Sequence, residues 1–476
     1  MTVDAQSKCA ERAATLKTAV ILAAGMGTRM KSGLPKPLHP ILGEPMISYI
    51  ISAVRVAGID RVIVVLGAGG DRVEAFLGDS VESVYQEEQL GTGHALMMAI
   101  PKLEALIEDS AECLVVNGDT PLLTGDTLAS LLNIRRETGS AAAVLTAVVD
   151  DPYGYGRIIK EDGCVKAIVE ERDASPEQRL IKEFNVGAYS FDVGWLIKAL
   201  KCLTPANAQG EYYLTDTVAW LAEQGQGVCA WQTSCVDEAH GVNDRLQLSK
   251  AQDLIRHRIL KKHMLAGVTI EEPSATLIGP LTEIGADTVI ETGCQIFGRT
   301  VIGSACVIGP RSKITDCRVG DGSTVDQSTL FECELGNKST IGPYTYMRPG
   351  CVLEDSVKVG AYVEMKKVKV GEGAKVPHLS YMGDSFVGAR SNIGAGTITC
   401  NYDGVDKFET IIEDDVFIGS NSNLVAPVVI GSGAYTAAGS TITKDVPPGA
   451  LGIARERQTN IEGWVDRKGK TRHHVK

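Results

Sequence analysis

The chain has 476 residues, 44% hydrophobic and 22% charged, the make-up of an ordinary globular protein with room for two or three domains. Its net charge of −12 argues against nucleic acid or an anionic membrane as the main partner. It leaves anionic small molecules open, because a few cations and backbone amides suffice to hold a phosphate.

Residues 1–17 carry Asp4, Lys8, Glu11, Arg12 and Lys17 around no apolar centre, so they read as a disordered tail and not a signal peptide. With no run of ~18 apolar residues to span a membrane, a cytoplasmic protein is expected. The twelve cysteines form no C-x-x-C pair and read as small buried hydrophobes in a reducing compartment. Cys294 and Cys306, and Cys333 and Cys351, are spaced as equivalent slots of a six-residue repeat.

From residue 18, strands and helices alternate. Residues 18–24 form an apolar run ending in a glycine-rich turn; 46–57 read as a helix, 61–66 as a strand, 71–77 as a helix and 81–85 as a strand. Residues 94–106 read as a helix, and 113–116 as a strand ending at Asn117-Gly118-Asp119. This alternation predicts an α/β domain with a Rossmann-like, mostly parallel sheet covered on both faces. Ligands of such sheets bind beyond the carboxyl ends of the strands, where the glycine-rich turn and Asn-Gly-Asp both fall. The turn, Gly25-Met26-Gly27-Thr28-Arg29, is followed by Leu34-Pro35-Lys36-Pro37-Leu38. Many strand–helix turns need two glycines for geometry alone; with Arg29 and Lys36 nearby, amides and cations can converge on a polyphosphate. Asp119 is open to two readings, a helix cap or a ligand of Mg²⁺, for which Asn243 could supply a second oxygen. His39 and His94 read as structural.

Residues 244–265 set Leu246, Leu248, Leu254, Ile255, Ile259, Leu260 and Leu265 among charges, a long amphipathic helix connecting two halves. Beyond Val268 the period becomes six. Ile284, Ile290, Ile296, Ile302, Ile308 and Ile314 recur unbroken; the pattern slips by one to Val319, resumes through Met347, and returns at Val387 and again from Ile412 to Ile442. A period of six fits neither helix nor simple strand and predicts a parallel β-helix, three hexads closing each triangular coil. Glycine often follows the aliphatic residue, as at Gly285, Gly303, Gly394 and Gly419, and is expected to permit a tight corner. Residues 395–411 read as a loop thrown out of the prism.

His378, the one histidine between Val268 and Ile453, lies where the hexads are interrupted. A lone histidine is often structural, but Arg348 and Lys366 are cations suited to a sugar phosphate. Acyl transfer to an amine needs a base, for which histidine is the natural candidate. The basic end, Arg467, Lys468, Lys470, Arg472 and Lys476, is a solubilising tail or a binding arm.

Several strings resemble one family over residues 18–464: Gln86-Glu87-Glu88-Gln89-Leu90-Gly91-Thr92-Gly93-His94-Ala95, Gly154-Tyr155-Gly156-Arg157, Gly210-Glu211-Tyr212-Tyr213-Leu214-Thr215-Asp216 and Gly241-Val242-Asn243. In the second half, Pro377-His378-Leu379-Ser380-Tyr381-Met382-Gly383-Asp384, Asn392-Ile393-Gly394-Ala395-Gly396-Thr397 and Cys400-Asn401-Tyr402-Asp403-Gly404 belong with them. The family is the bacterial bifunctional N-acetylglucosamine-1-phosphate uridylyltransferase/glucosamine-1-phosphate N-acetyltransferase. The resemblance implies a uridylyltransferase domain over 18–243, a linker helix over 244–266, a left-handed β-helix over 267–454 and an arm with a basic tail over 455–476. It implies synthesis of UDP-N-acetylglucosamine from glucosamine 1-phosphate, acetyl-CoA and UTP for cell-envelope polysaccharides, with Mg²⁺, in a cytoplasmic homotrimer.

In the first domain, the resemblance assigns Leu22, Ala23, Ala24, Gly25, Arg29, Lys36, Asn117 and Gly118 to the nucleotide and its phosphates. Gln86, Gly91 and Thr92 go to the uracil side, Asp119 and Asn243 to Mg²⁺, and Gly156, Glu170 and Asn185 to the sugar. In the second it makes His378 the general base and gives Arg348, Lys366, Tyr381, Asn392 and Lys407 to glucosamine 1-phosphate. Ala395, Asn401, Tyr402, Ser420, Ala438 and Arg455 would meet acetyl-CoA. Two positions depart from the family pattern: Met26 stands where lysine is common and Asn117 where tyrosine is. Two alternatives stay open: a nucleotidyltransferase whose β-helix only oligomerises and regulates, as in ADP-glucose pyrophosphorylase-like enzymes, and a non-catalytic assembly subunit.

Overall fold

A computed structural model describes residues 17–107 and 111–468. The expected tail, apart from Lys17, lies outside the described residues, as do Lys470, Arg472 and Lys476. The chain divides into two compact units after Arg258.

The first unit is built on a sheet whose central strands are apolar on both sides. Its strands are β1 (Lys17–Ala23), β2 (Arg61–Leu66), β3 (Glu82–Tyr85), β4 (Glu112–Asn117), β5 (Ala142–Val148), the hairpin β6 (Arg157–Glu161) and β7 (Cys164–Val169), β8 (Glu183–Asp192) and β9 (Val228–Gln232). The order is β9-β5-β8-β4-β1-β2-β3, with β6 branching from β8. β1 pairs parallel with β2 and β4, and β8 runs antiparallel to β4 and β5, so the sheet is mostly parallel, as expected. Side chains alternate between faces. Val20, Leu22, Ile63, Val65 and Val115 share a core with Leu96, Leu103, Leu196 and Leu221, while Ala19, Ile21, Val62, Val64 and Val116 share one with Ile50, Val54, Leu128 and Leu132. Helices α1 (Met46–Val56), α2 (Gly70–Leu77), α3 (Thr92–Met97), α4 (Ile100–Glu104), α5 (Gly125–Thr138), α6 (Val193–Lys201) and α7 (Asp216–Glu223) supply the two layers. The helix expected over 94–106 is two: Pro101 at the start of α4 cannot donate to a preceding turn.

Helix α8 (Arg245–Leu265) is present, but its seam differs from the expected one. Ala251, Ile255, Leu260 and His263 are buried, whereas Leu246 and Leu265 are exposed.

The second unit is a left-handed parallel β-helix of two- to seven-residue strands. Each coil stacks on the next in parallel register, Val289 on Val307 and Val307 on Thr324 for example. Ile290, Ile296, Ile302, Ile308 and Ile314 fill the prism with almost no exposure. The stretch from Met347 to Val387 is no interruption. Leu353, Val359, Met365, Val370, Val376 and Met382 are all buried and continue the ladder in steps of six or five. Each five-residue step turns on a left-handed non-glycine residue two places beyond the aliphatic one, as at Asp316, Gln327, Glu332, Lys367 and Asp384. Asp and Asn tolerate that conformation better than most residues, through local hydrogen bonds.

The glycines after the aliphatic positions serve another purpose than expected. A Cβ on Gly419 would lie 2.5 Å from the Thr436 carbonyl oxygen, and one on Gly394 would lie 2.6 Å from that of Ile418. Neither has a positive φ; they allow stacked coils to approach. The extruded loop is also shorter than expected. Ile398–Cys400 is a prism strand, in register with Asn423–Val425, so the loop begins at Asn401 and closes on itself through a Tyr402–Lys407 bridge. Cys333 and Cys351 do occupy equivalent slots, directly paired in register, and Cys294, Cys306 and Cys317 are buried too. Cys164 and Cys202, against expectation, are exposed.

Candidate active sites

β1 and β4 end side by side, Leu22 paired with Asn117, and their parallel direction sets both loops on one edge of the sheet. There a cavity of about 300 Å³ opens, lined by Leu22, Ala23, Ala24, Gly25, Lys36, Gln86, Gly91, Thr92, Asn117, Gly118 and Asp119, all expected from sequence. Gln89 and Glu211 line it as well and were not anticipated, although both lie within the recognised strings. Gln89 Nε2 donates to the Ala24 carbonyl at 2.7 Å and ties the glycine-rich turn to the opposite wall.

The charged groups at this edge are paired with one another. Lys36 Nζ donates to Asp119 Oδ2 at 2.6 Å and to Asn243 Oδ1 at 3.0 Å, and Arg29 donates to the same Asn243 oxygen at 2.9 Å. Met26, where a further cation is common in the family, is 64% exposed in the turn and adds no charge. Asn117, the second departure, packs its amide against Gly187, where any side chain would collide with it.

Gly156, Glu170 and Asn185 form a second cluster in this unit. Asn185 N donates to the Gly156 carbonyl at 2.9 Å, and a Cβ on Gly156 would stand 3.5 Å from the Glu170 carboxyl. Asn185 Nδ2 donates to Tyr189 Oη at 2.6 Å, and Thr215 Oγ1 donates to Glu170 Oε1 at 3.1 Å. Burial raises the Glu170 carboxyl above its ordinary range, with Asp216 and Asp173 adding to it against the Thr215 hydrogen bond. Arg157, also unanticipated, is buried and pairs with Glu171 at 2.8 Å while donating to the Tyr155 carbonyl, so the Gly154–Gly156 loop is clamped from beneath.

In the β-helix, successive coils do the gathering. Arg348 N donates to the Met365 carbonyl, and Lys366 is in register with Gly383, so Arg348, Lys366 and the Tyr381–Gly383 segment occupy one column. The Tyr381 ring covers Gly383: a Cβ there would lie 2.6 Å from its hydroxyl. Lys407 returns from the loop onto Lys366. The Lys366 ammonium is lowered by Lys407 first and then by Arg348, two like charges that disfavour a third. Glu364, 3.2 Å from Arg348, and Asp384, which accepts from Asn401 Nδ2, are the acids beside them; neither was anticipated.

His378 ends strand Lys375–His378 and is exposed. The offset joining Lys375 to Asn392 and Tyr381 to Ile398 sets His378 beside Ala395 of the next coil. Above it Asn421 N donates to the Ala395 carbonyl and Gly439 N to the Ser420 carbonyl, so Ala395, Ser420 and Ala438 form one corner column. Arg455 lies against Gly439. Tyr402 is exposed on the loop. Asn392 is on a different face from the cations, in register between Lys375 and Phe417.

A sheet with a polar cleft at its strand ends, followed along the chain by a hexapeptide prism, defines the class. Residues 19–258 match the MobA-like NTP transferase domain and residues 409–444 the bacterial transferase hexapeptide of six repeats. The chain is 50% identical over 450 residues to the bifunctional protein GlmU of Geobacillus sp. (strain WCH70), covering 94% of this chain and 97% of that one. It is 51% identical over 452 residues to that of Desulfitobacterium hafniense (strain DSM 10664 / DCB-2), covering 95% and 99%. The chain belongs to the bifunctional GlmU family. It is a two-activity enzyme, glucosamine-1-phosphate N-acetyltransferase and N-acetylglucosamine-1-phosphate uridylyltransferase, acting on small molecules. Membership points to a divalent metal, and among the described residues no helix is long and apolar enough to cross a membrane.

Proposed function

We propose that residues 18–243 carry uridylyl transfer, that 267–454 with the 455–476 arm carry acetyl transfer, and that 244–266 link them. The observation that carries the first assignment is the convergence of Asp119 and Asn243 on one cation position, now taken by the Lys36 ammonium. A carboxylate and an amide oxygen are hard donors suited to Mg²⁺, and only two protein ligands leave its other positions to water and substrate phosphates. Asp119 and Asn243 would hold it, and its charge would offset that building on the leaving pyrophosphate. Lys36 and Arg29, released from these oxygens, then face the nucleotide phosphates. Little acid–base help is needed for in-line attack at the α-phosphorus, so alignment and charge neutralisation dominate. Gln86, Gly91 and Thr92 meet the base, and Gly156, Glu170 and Asn185 the sugar.

In the β-helix, His378 takes the proton from the attacking amine. Arg348, Lys366, Lys407 and Tyr381 hold the sugar phosphate from one face, and Asn392, on another face, meets it from an adjacent prism of the trimer. The column of Ala395, Ser420 and Ala438, with Asn401, Tyr402 and Arg455, receives acetyl-CoA. The protein is a cytoplasmic homotrimer on this reading.

The test is a coupled assay on the purified protein with glucosamine 1-phosphate, acetyl-CoA, UTP and Mg²⁺, following free CoA thiol and pyrophosphate separately. CoA release should need only the first two substrates, and chelation of the metal should stop pyrophosphate release. Pyrophosphate release that persists in excess chelator would remove Asp119 and Asn243 as metal ligands.

A further inference from the structure

Gln86 sits at the rim of the sheet with its backbone N bonded to the Leu66 carbonyl, and its residue is only 5% exposed. A buried amide must place all its polar atoms on partners. Gln86 Nε2 donates to the Gly91 carbonyl at 3.0 Å, and its other amide proton points to His94 Nδ1 at 3.1 Å. The orientation is chemically forced on one side, because a carbonyl only accepts. The Gly91 carbonyl is itself fixed: Gly91 has φ +107°, and a side chain there would meet the Tyr212 carbonyl at 2.6 Å. With both amide protons engaged, the atom left for a ligand is Oε1, a pure acceptor. His94 Nδ1 must then carry a lone pair, with the ring proton on Nε2.

We infer that His94 is a specificity-determining positioning residue of the uridylyl site, which holds the Gln86 carbonyl oxygen toward the base and so selects a base that carries a proton at ring N3. Uracil offers N3–H; cytosine presents a lone pair at N3, which would face Oε1 without a proton between them. A site whose buried polar groups are left unmatched rejects the wrong ligand far more strongly than a steric wall does. The inference rests on the reading of Gln86 as a base contact, and gives a role to a histidine that reads as structural in sequence. His94 is on α3, its ring 6.2 Å from that of Tyr212, so its position is held from both sides.

The experiment measures kcat/KM for UTP and CTP on the full-length protein, with acetyl transfer and melting as controls for folding. His94→Phe keeps the volume and removes the acceptor; it should narrow the UTP-over-CTP preference about tenfold, the worth of one oriented hydrogen bond. His94→Asn carries Oδ1 where histidine carries Nδ1 and should restore the preference. If His94→Phe loses turnover, the ratio of UTP to CTP binding by calorimetry gives the same answer. An unchanged preference in His94→Phe, or its loss in both variants, overturns the inference. Gln86→Leu separates the two readings: a preference that survives it removes Gln86 as a base contact, whereas one that collapses there but survives His94→Phe removes only the role of His94.

Discussion

The two halves of the molecule hold charge in opposite ways. At the sheet edge the cations are already spent, Lys36 on Asp119 and Asn243, and Arg29 on the same asparagine. On the prism, Arg348, Lys366 and Lys407 crowd one column, and like charges depress Lys366. A balanced site is comfortable empty, and a competing cation must free its lysine before that lysine can bind phosphate. A site where three cations outnumber Glu364 and Asp384 favours an arriving anion from the start. The folds account for the difference. The sheet joins groups separated by 83, 207 and 214 residues, through loops that must settle on each other. The prism stacks residues one coil apart, so like residues align with like whether or not they neutralise each other.

The largest expected effects test whether these are separate machines. Asp119→Asn should lower uridylyl transfer by about 10²–10³-fold, the cost of losing one charge-stabilising group. His378→Ala should lower acetyl transfer by about 10²–10⁴-fold through loss of its base. Each variant should leave the other activity within about twofold of the parent, as expected of sites that share no groups. Loss of both activities in either variant would break the comparison, since the charge arrangements would then belong to a single coupled site.

A smaller effect concerns how each half is stabilised. In a solenoid each coil touches only its neighbours, so one crowded contact is felt locally and repeats along the axis. Gly419→Ala drives a Cβ to 2.5 Å from the Thr436 carbonyl and should cost about 1–3 kcal/mol. Gly433 has a left-handed φ but open space, so Gly433→Asn should change stability by less than about 1 kcal/mol. Thermal melting checks both. Equal losses would mean that the glycines serve corner conformation after all, as the repeat alone suggests.

Legibility also divides between the halves. The period of six carries the prism almost unaided, yet the reading lapses between Met347 and Val387, because Leu353, Val359, Met365 and Val376 replace isoleucine and two steps shrink to five. The burial is the same; the signature residue and two spacings changed. In the first half, alternation predicts the sheet and places Gly25 and Asp119 at its ligand edge, but nothing in their spacing shows that Lys36 would bridge Asp119 and Asn243. Tertiary packing decides that; the residues suggested Asn243 as a second oxygen beside Asp119, but not Lys36 between them. Gln89 and Asp384 escaped because each acts through a partner, the Ala24 carbonyl or the Asn401 amide, that no linear motif displays.

The smallest expected effect comes from burial itself, and it sharpens the contrast between a desolvated carboxyl and cations at the prism surface. Glu170 is raised chiefly by burial, so the folded chain keeps its proton at a pH where the unfolded chain has lost it. Stability therefore falls as pH rises from the unfolded carboxylate value, near 4.5, to the higher folded one, and stays reduced above it. Glu170→Gln keeps an acceptor for Thr215 and carries no such penalty. It should melt like the parent at pH 4 and about 1–3 °C higher at pH 7, while sugar KM rises because the carboxylate is gone. Lys366 offers no parallel: it is half-buried on the prism surface, and solvent screens its neighbours. A variant that melts lower than the parent at pH 7 and equal to it at pH 4 would mean that the ionised carboxylate is stabilised in place. The first half would then hold this charge compensated, as it holds those of the Lys36 cluster.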